Sequence, residues 1–255
     1  MKFSIVTICL NAERYLQQQL DSVAAQRWDD LEQIVVDGGS SDGTLAIVEA
    51  AARNNPRLRL VSGPDRGISD AMNKGIALAT GDVIAFLHAD DLYPDPDVLT
   101  RVARAFRDHP GAEWVTGGIS YIDQEGRPLR SYRPRRWSYR RLLRGNIIFH
   151  PSTFVAREAL AAAGGFDTAL RYVMDYDLWL RLGRRGAPCR IDTPLACFRL
   201  HPQSTSVRNA DAAFREEFQV RLNHLQGKPV QRLLHGIYYA LKFFPNRLSV
   251  AGRNG

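Results

Sequence analysis

At 255 residues, with 45% apolar and 24% charged side chains, the chain has the composition of one large globular domain, with or without a small appendage, and not that of a disordered protein. Its three scattered cysteines are too few for a disulfide framework, which favours a reducing, cytoplasmic setting. The net charge of +7 comes from one segment, because eight arginines and no acid lie between Arg127 and Arg144 while the other residues sum to about −1.

Strands and helices alternate at short spacing through residues 1–112. The first apolar run, which ends at Leu10, is too short for a membrane span and predicts a buried strand. Asn11 is suited to cap the helix that follows. In chain order, strands are predicted at 3–10, 34–36, 59–61 and 83–87, and helices at 12–26, 45–53, 68–79 and 96–109. This alternation predicts an α/β fold with a mostly parallel, Rossmann-like sheet and helices on both faces.

The pattern changes after residue 112. Strands are predicted on either side of the arginine-rich stretch, and helices follow them; in order, the strands are 113–122 and 149–155, and the helices are 159–166, 176–184 and 210–226. A last segment, 230–244, mixes apolar with basic side chains. We therefore divide the chain into residues 1–112, residues 113–205 of the same domain, and a C-terminal helical extension, 206–255.

Polar side chains follow three of the predicted strands at the point where each ends. Asn11 follows the first strand, Asp37 to Asp42 the second, and Asp90 and Asp91 the fourth. Because ligands of parallel sheets bind beyond the carboxyl ends of the strands, these groups are candidates for one site. Asp37, at a strand tip, can accept hydrogen bonds from a nucleobase or a ribose. Asp42 is favoured as a helix cap.

Carboxylates and one histidine suggest chemistry. Adjacent carboxylates such as Asp90 and Asp91 repel each other unless a cation or ligand relieves them, and hard oxygen ligands suit Mg²⁺ or Mn²⁺; a solvated turn is the alternative. Asp175 and Asp177 lie at the start of a predicted helix, where the helix dipole favours acids, but two positions apart they face different ways. A lone histidine such as His201 is more often structural than a ligand.

Taken together, these segments resemble the family 2 glycosyltransferases, which have the A-type nucleotide-sugar-binding fold. The resemblance covers roughly residues 3 to 201 and rests on an ordered set of motifs: SIVTICLNAERYL, VVDGGSSDGT, GPDRGISDAMNKGIALATGD, FLHADD and MDYDLWLRL. The GPDRGISDAMNKG form is similar to the branch that builds bacterial surface polysaccharides. The sequence has no Gln-x-x-Arg-Trp motif, which indicates a non-processive enzyme.

The resemblance implies that residues 1–112 bind the nucleotide-sugar donor. Asp37 would contact the nucleobase, and Thr7 and Arg66 would lie near it. Asp90 would hold the ribose. His88 departs from the pattern, since relatives often carry an asparagine at that position.

Residues 113–205 would bind the acceptor and complete the catalytic half. By the same resemblance, Asp91 and His201 would bind Mn²⁺ or Mg²⁺ on the diphosphate, and Asp175 would be the general base. Met174 stands before this aspartate where many relatives have an acid, so the base is expected to be tuned differently.

These roles imply an inverting, metal-dependent transfer of a sugar to a hydroxyl of a saccharide or lipid-linked acceptor, in cell-surface polysaccharide or glycolipid biosynthesis. A cation would stabilise the leaving nucleoside diphosphate and a base would take the acceptor's proton, so one of each suffices for a direct displacement. A sugar nucleotidyltransferase would share the sheet and the metal chemistry. It would need a glycine- and lysine-rich phosphate loop, which residues 4–11 do not contain.

The Arg127–Arg144 segment leaves several partners open. Arginines interleaved with aromatic residues are typical of nucleic-acid-binding proteins. A single such segment after a complete donor site favours a phosphate-bearing acceptor or an anionic membrane surface instead, and no nucleic acid is expected. Together with segment 230–244 it would suit peripheral attachment at the inner face of the plasma membrane. A solvated loop and an ordinary core-packing helix are the equal alternative.

Overall fold

A computed structural model describes residues 1–202 and 209–251, and for 242–251 it gives only the course of the helix. The strands are β1 (Phe3–Cys9), β2 (Leu31–Asp37), β3 (Leu58–Ser62), β4 (Val83–Phe86), β5 (Trp114–Ile122), β6 (Pro128–Tyr132), β7 (Thr153–Ala156) and β8 (Cys189–Arg199). The helices are α1 (Leu16–Ala24), α2 (Thr44–Asn54), α3 (Ile68–Leu78), α4 (Val98–Asp108), α5 (Tyr139–Leu142), α6 (Arg157–Ala163), α7 (Met174–Arg185), α8 (Ala210–His224) and α9 (Pro229–Ala251). Each predicted strand and helix overlaps one of these elements.

The eight strands form one sheet in the order β3-β2-β1-β4-β7-β5-β6, with β8 paired to β5. β1 pairs in parallel with β2 and β4, and β2 pairs in parallel with β3. β7 lies between β4 and β5 and runs antiparallel to both, while β8 runs parallel to β5. The mostly parallel, Rossmann-like sheet is therefore confirmed. The boundary predicted at 112/113 lies within this continuous sheet, between α4 and β5, and the one at 205/206 lies outside the described residues.

Helices cover both faces of the sheet, because successive side chains of a strand point to opposite sides. In β1, Val6 packs with Met72 of α3 on one face. Phe3 and Ile5 pack with Val102 of α4 on the other. The central strands are apolar on both faces for this reason, and the burial of both faces makes them readable in the sequence as continuous apolar runs.

Gly75 allows α3 to approach the sheet closely. A Cβ atom at this position would lie 2.3 Å from Cγ1 of Val6, so any larger residue would push the helix off β1. A glycine inside a helix costs about 1 kcal/mol relative to alanine. The close packing of α3 against β1 offsets that cost.

Asn11 does not cap α1, contrary to the prediction. Its φ of 51° lies in the left-handed region that asparagine tolerates, and α1 begins only at Leu16. Its Oδ1 accepts a hydrogen bond from the backbone N–H of Ser41 (2.9 Å), and its own N–H donates to the hydroxyl of Ser40 (2.8 Å). Asn11 joins the ends of β1 and β2, so the polar groups at these two strand ends do lie together.

The remaining elements are the basic segment, in the middle of the chain, and the two C-terminal helices. The stretch Arg127–Arg144 contains the exposed strand β6 and the short helix α5, and all eight of its arginines are exposed. Helix α9 packs on α8 through Tyr239, whose ring stacks on Phe214 and Phe218 with centroids 4.9 and 3.9 Å apart. Across the described residues, no helix is both long enough and apolar enough to span a membrane.

Candidate active site

The loop after β2 is folded around Asp37, which has no exposed surface (0%). Its carboxylate accepts hydrogen bonds from the backbone N–H groups of Gly39 (3.0 Å) and Ser40 (3.0 Å) and from the hydroxyls of Ser62 (2.8 Å) and Ser40. Burial alone would raise the pKa of Asp37, but these hydrogen bonds outweigh it and lower the pKa. Asp37 therefore anchors the loop and has no exposed oxygen for the predicted contact with a nucleobase.

Thr7 and Arg66, the other residues predicted near the nucleobase, have opposite environments. The hydroxyl of Thr7 is fully buried and accepts hydrogen bonds from Nε2 of Gln19 (2.8 Å) and of Gln33 (3.0 Å). It belongs to a buried polar network, so its side chain cannot make the predicted contact in this arrangement. Arg66 is 80% exposed at the rim of the edge and pairs with Asp70 at 2.9 Å.

Asp65 is a carboxylate at this edge that the sequence did not single out. A Cβ atom at Gly38 would lie 2.5 Å from Oδ2 of Asp65, so the missing side chain at position 38 makes room for this oxygen. The other oxygen accepts the backbone N–H of Gly67 (2.8 Å). Two consecutive glycines after Asp37 were the only signal in the sequence, and they are equally typical of a tight turn.

Asp90 and His201, which are 111 positions apart in the chain, meet at the ends of β4 and β8. Nε2 of His201 lies 2.9 Å from Oδ2 of Asp90, and the two side chains are 10% and 29% exposed. The ring of His201 packs against that of Tyr15, with centroids 5.2 Å apart. Tyr15 therefore supports the pair on one side, and the pair is partly exposed to solvent at the carboxyl edge of the sheet.

Asp91, the neighbouring carboxylate, lies in the interior instead. It is 2% exposed, and its Oδ1 accepts the backbone N–H of Arg199 (3.2 Å). Burial, and then the charge of Asp90, raise the pKa of Asp91 well above its ordinary value. Asp91 is nearly inaccessible and one of its oxygens is held by the backbone of Arg199, so it offers a cation less access than Asp90 does, and the predicted metal role of Asp91 does not fit this geometry.

Arg199 is fully buried and connects three segments of the site through hydrogen bonds. Its guanidinium donates to the backbone oxygens of Asp90 (3.0 Å) and Gln124 (2.9 Å) and to Oε1 of Gln18 (2.8 Å). It also lies over the ring of Tyr15, 4.5 Å from the ring centroid. Nothing in the sequence singles out Arg199, because a charged side chain two positions before His201 does not indicate that its partners lie in three distant segments.

Asp175, the predicted base, sits half-buried at the start of α7. Nδ2 of Asn146 donates to its Oδ2 (3.0 Å), and the N–H of Tyr176 donates to its Oδ1 (2.7 Å). Burial outweighs these hydrogen bonds and raises the pKa of Asp175 to about 6. Met174, which replaces the acid found in many relatives, is buried in the core, so burial rather than a neighbouring acid tunes this carboxyl group.

Asp177 makes contacts through both of its carboxylate oxygens. One of its oxygens contacts Nη2 of Arg181 at 2.8 Å, and the other lies 2.8 Å from Nε2 of His224 in α8. Burial would raise the pKa of Asp177, but the hydrogen bond from His224 and the charge of Arg181 lower it. This carboxylate therefore connects α7 to α8 and has a structural role that Asp175 does not share.

A row of rings connects the two halves of the site. The ring of His150 lies 5.1 Å from that of His88, next to Asp90, and 5.9 Å from that of Trp179, which is one helical turn after Asp175. Burial lowers the pKa of both histidines, so both imidazoles are neutral at pH 7. This row of rings in the protein interior thus connects the surroundings of Asp90 with those of the candidate base.

The Asp90–His201 pair is the place where the residues present would fit a divalent cation. A carboxylate oxygen and an imidazole nitrogen already converge there from two strand ends. Mg²⁺ is commonly held by one or two carboxylates together with substrate phosphates. In residues 1–202 and 209–251, no cluster of three or more His, Cys, Asp or Glu side chains is arranged to hold a metal ion. A cation at this pair would complete its coordination with phosphate and water oxygens.

The sequence as a whole is similar to known glycosyltransferases. The family described as Glycosyl transferase family 2 matches residues 4–161. A PGL/p-HBAD biosynthesis glycosyltransferase of Mycobacterium tuberculosis is 36% identical over 183 residues, which are 70% of this chain and 68% of that protein. A chondroitin synthase of Escherichia coli is 30% identical over 220 residues, which are 85% of this chain and 32% of that protein.

Solved structures show the same fold at low sequence identity. TarS 1–349 of S. aureus, in complex with UDP-GlcNAc, has a TM-score of 0.73 and 18% identity, over 94% of this chain and 71% of that one. The mannosyltransferase PcManGT from Pyrobaculum calidifontis, in complex with GDP-Man and Mn²⁺, has a TM-score of 0.67 and 22% identity, over 100% and 76%. The predicted A-type glycosyltransferase fold is confirmed.

Proposed function

The chain belongs to glycosyl transferase family 2 and is a glycosyltransferase; we propose that it moves a sugar from a nucleoside diphosphate sugar to a hydroxyl acceptor, in a metal-dependent reaction that inverts the anomeric centre. The observation that carries this proposal is Asp175, whose pKa of about 6 suits a base at neutral pH. It lies across the row of rings from the Asp90–His201 pair. One base and one cation suffice for a single displacement.

The donor's nucleobase would face Asp65 rather than Asp37. All the hydrogen-bonding capacity of Asp37 faces the protein, whereas Oδ2 of Asp65 lies over the open backbone of Gly38. Two structural relatives were solved with UDP-GlcNAc and with GDP-Man. Uracil and guanine both carry a ring N–H on their pairing edge, which a carboxylate accepts. The donor is therefore a UDP- or GDP-linked sugar, with Arg66 on the rim of the same edge.

The cation would be held by Asp90 and His201. This assignment replaces Asp91, which is buried and accepts the backbone N–H of Arg199, and it moves Asp90 from the ribose to the metal. When bound, Mn²⁺ or Mg²⁺ would offset the negative charge of the leaving diphosphate. Arg199 would hold the backbone of Asp90 and keep the carboxylate directed at the imidazole of His201.

Asp175 would take the proton of the acceptor hydroxyl. Its hydrogen bonds from Asn146 and from the first turn of α7 fix the carboxylate, and its pKa of about 6 leaves it ionised at pH 7 but still basic enough to accept a proton. Attack by that hydroxyl on the face of the sugar opposite the diphosphate inverts the anomeric centre. The acceptor enters between α7 and the segment that carries Asn146.

The acceptor class follows from the relatives. Their names refer to PGL/p-HBAD biosynthesis and to chondroitin synthesis, that is, to glycolipid and polysaccharide products. We infer a saccharide or lipid-linked acceptor in surface polysaccharide or glycolipid biosynthesis, at the cytoplasmic side of the membrane. The chain spans about a third of the chondroitin synthase that it matches, so the polymerising activity in that name is not carried over.

The test is a donor screen in which release of nucleoside diphosphate is measured with Mn²⁺ and with excess chelator. We expect release from a UDP- or GDP-sugar only when the divalent cation is present. Product stereochemistry, read from the anomeric coupling constant in NMR, checks inversion. Full turnover in excess chelator would contradict the metal-dependent mechanism, and a retained anomeric configuration would contradict the single displacement.

A further inference from the structure

Helix α9 presents its apolar side chains to solvent. Five aliphatic residues of its first thirteen positions are between 52% and 69% exposed, namely Val230, Leu233, Leu234, Ile237 and Leu241. At about 100° per residue, they fall within an arc of about 100° around the helix. We call these five residues the aliphatic row. An exposed aliphatic stripe of this kind marks an interaction surface.

The opposite side of α9 is the one that packs on the protein. Tyr239, about 180° from Val230 around the helix, stacks on Phe214 and Phe218 of α8. The helix therefore binds the domain through its aromatic and polar side. This reverses the usual orientation of an amphipathic helix, whose apolar stripe faces the core.

The sequence around the aliphatic row is basic. From Phe218 to Gly255 it contains six lysines and arginines and no acid. The end of the basic segment lies against α8: a Cβ atom at Gly145 would lie 3.5 Å from Oε1 of Glu217. Burial, and then the charges of Arg221 and Arg144, lower the pKa of His235 in α9, which places Arg144 near this helix.

All eight arginines of the basic segment are exposed. Among the described residues, the arginines that form ion pairs with carboxylates all lie outside this segment. Three of the eight, Arg140, Arg141 and Arg144, lie within or just after α5, at the end of the segment nearest to α9. They are positioned to meet anions beside the aliphatic row.

We propose that the aliphatic row and the arginines at 140, 141 and 144 form a docking surface for an anionic lipid bilayer, with α9 lying in the plane of the interface. A helix of this kind buries its apolar side among the acyl chains, while basic side chains meet the lipid phosphates. A second copy of the chain would bring these arginines against each other. A nucleic acid would leave the aliphatic row in water.

The docking surface is close in sequence to the residue that contacts the candidate base. Asn146, which donates to Asp175, comes two residues after Arg144. A bilayer on the docking surface would therefore lie near the entry to the acceptor site. Docking itself needs neither the cation nor the base, so this proposal and the proposed reaction fail separately.

The test is flotation of the full chain with vesicles of phosphatidylcholine alone or with phosphatidylglycerol, at low and high salt. We expect flotation only with phosphatidylglycerol, weakened at high salt. Leu233→Ser/Leu234→Ser/Ile237→Ser should reduce binding at least tenfold, and Arg140→Gln/Arg141→Gln/Arg144→Gln should reduce both binding and its salt dependence. Matched controls on other surfaces, Val61→Ser and Arg53→Gln/Arg107→Gln/Arg157→Gln, should bind like the wild type.

Several outcomes would overturn the proposal. They are no flotation of the wild-type chain, equal flotation with both lipids, or loss of binding in the control variants as large as in the surface variants. Concentration-dependent dimerisation in gel filtration that the aliphatic-row variant abolishes would assign the surface to a second copy instead. Thermal melting and donor hydrolysis, unchanged in the surface variants, show that the fold and the reaction are intact.

Discussion

Asp37 and Asp175 are the same residue type, one at the end of β2 and the other in the first turn of α7, and their environments make them opposites. At Asp37, hydrogen bonds from Gly39 and Ser40 of the following loop and from Ser62 at the end of β3 outweigh burial and lower the pKa. Asp175 keeps some exposure and accepts two close hydrogen bonds, from Asn146 and from the N–H of Tyr176, and burial raises its pKa to about 6.

The difference teaches that the balance between burial and hydrogen bonding, and neither of them alone, sets the basicity of a carboxylate near the sheet edge. Where the hydrogen bonds outweigh burial, the carboxylate stays ionised, is weakly basic and organises the backbone. Where burial outweighs the hydrogen bonds, the carboxylate keeps its affinity for a proton, as the proposed base requires.

The strongest test of this contrast is Asp175→Asn. The amide keeps the size and much of the hydrogen bonding but cannot take a proton, so kcat should fall by about 10²–10⁴-fold. The affinity for the donor and for Mn²⁺ should change little. Single-turnover kinetics with saturating donor measure the effect, and Asp177→Asn, which removes the brace to His224 and Arg181, serves as the control that lowers thermal stability instead. Near-normal chemistry in Asp175→Asn would mean that another group is the base.

Asp37→Asn should have the opposite signature. Its amide would turn a donor towards the N–H groups of Gly39 and Ser40, and an unmade buried hydrogen bond costs about 1–3 kcal/mol. We expect a lower free energy of unfolding in urea and, for the folded fraction, a kcat within a few-fold of wild type. A large loss of kcat with unchanged stability would show that Asp37 contacts the substrate directly.

The adjacent pair Asp90 and Asp91 gives a second comparison of the same kind. If Asp90 and His201 hold the cation, Asp90→Asn should raise the Mn²⁺ concentration needed for half-maximal activity by roughly 10–100-fold, the range found when a supporting group of a metal site is lost. Asp91→Asn should leave that concentration within about threefold, because this side chain is buried, accepts the backbone N–H of Arg199 and does not reach the cation. Metal titration of both variants decides the matter, and the reverse pattern would restore Asp91 as the ligand.

The smallest expected effect is on pH dependence. With a base of pKa about 6, kcat should rise roughly tenfold per pH unit below 6 and level off above it. Because folding raises this pKa, Asp175 destabilises the native state at neutral pH: its contribution is neutral below about pH 4, becomes unfavourable between about pH 4 and 6, and stays constant above that. Asp175→Asn should therefore melt higher than wild type at pH 8, and the difference should vanish near pH 4. An unchanged melting difference across that range would contradict the raised pKa.

Much of the fold could be predicted because its physical causes are local. Val6, Ile34 and Ile84 belong to apolar runs that are buried on both faces, and their alternation with helical patterns predicts a parallel sheet. Strand β6 and helix α5 escaped prediction, since exposed arginines mask any alternation of apolar and polar residues. The prediction of Asn11 as a helix cap was wrong because its partners, Ser40 and Ser41, lie in the loop after β2.

The site was predictable in position but not in role. The sequence places Asp37, Asp90 and Asp175 at strand or helix ends, but the structure brings His201 to Asp90, whereas the resemblance had joined His201 with Asp91. It gives no indication of which carboxylates their surroundings have already satisfied, because that depends on donors from other segments. Arg199 is the extreme case: its partners are contributed by α1, by the residues after β4 and by the turn between β5 and β6.

The long reach of Arg199 and His201 has a consequence for how such a domain can be cut and recombined. The match to the family model ends at residue 161, yet both residues that contact Asp90, Arg199 and His201, lie about forty positions later. A fragment that stops at the end of the recognisable family region would retain the four parallel strands and lose β8, Arg199 and His201. The boundary for transplanting this catalytic unit into another protein, or for dating its assembly from smaller ancestors, therefore lies beyond residue 201.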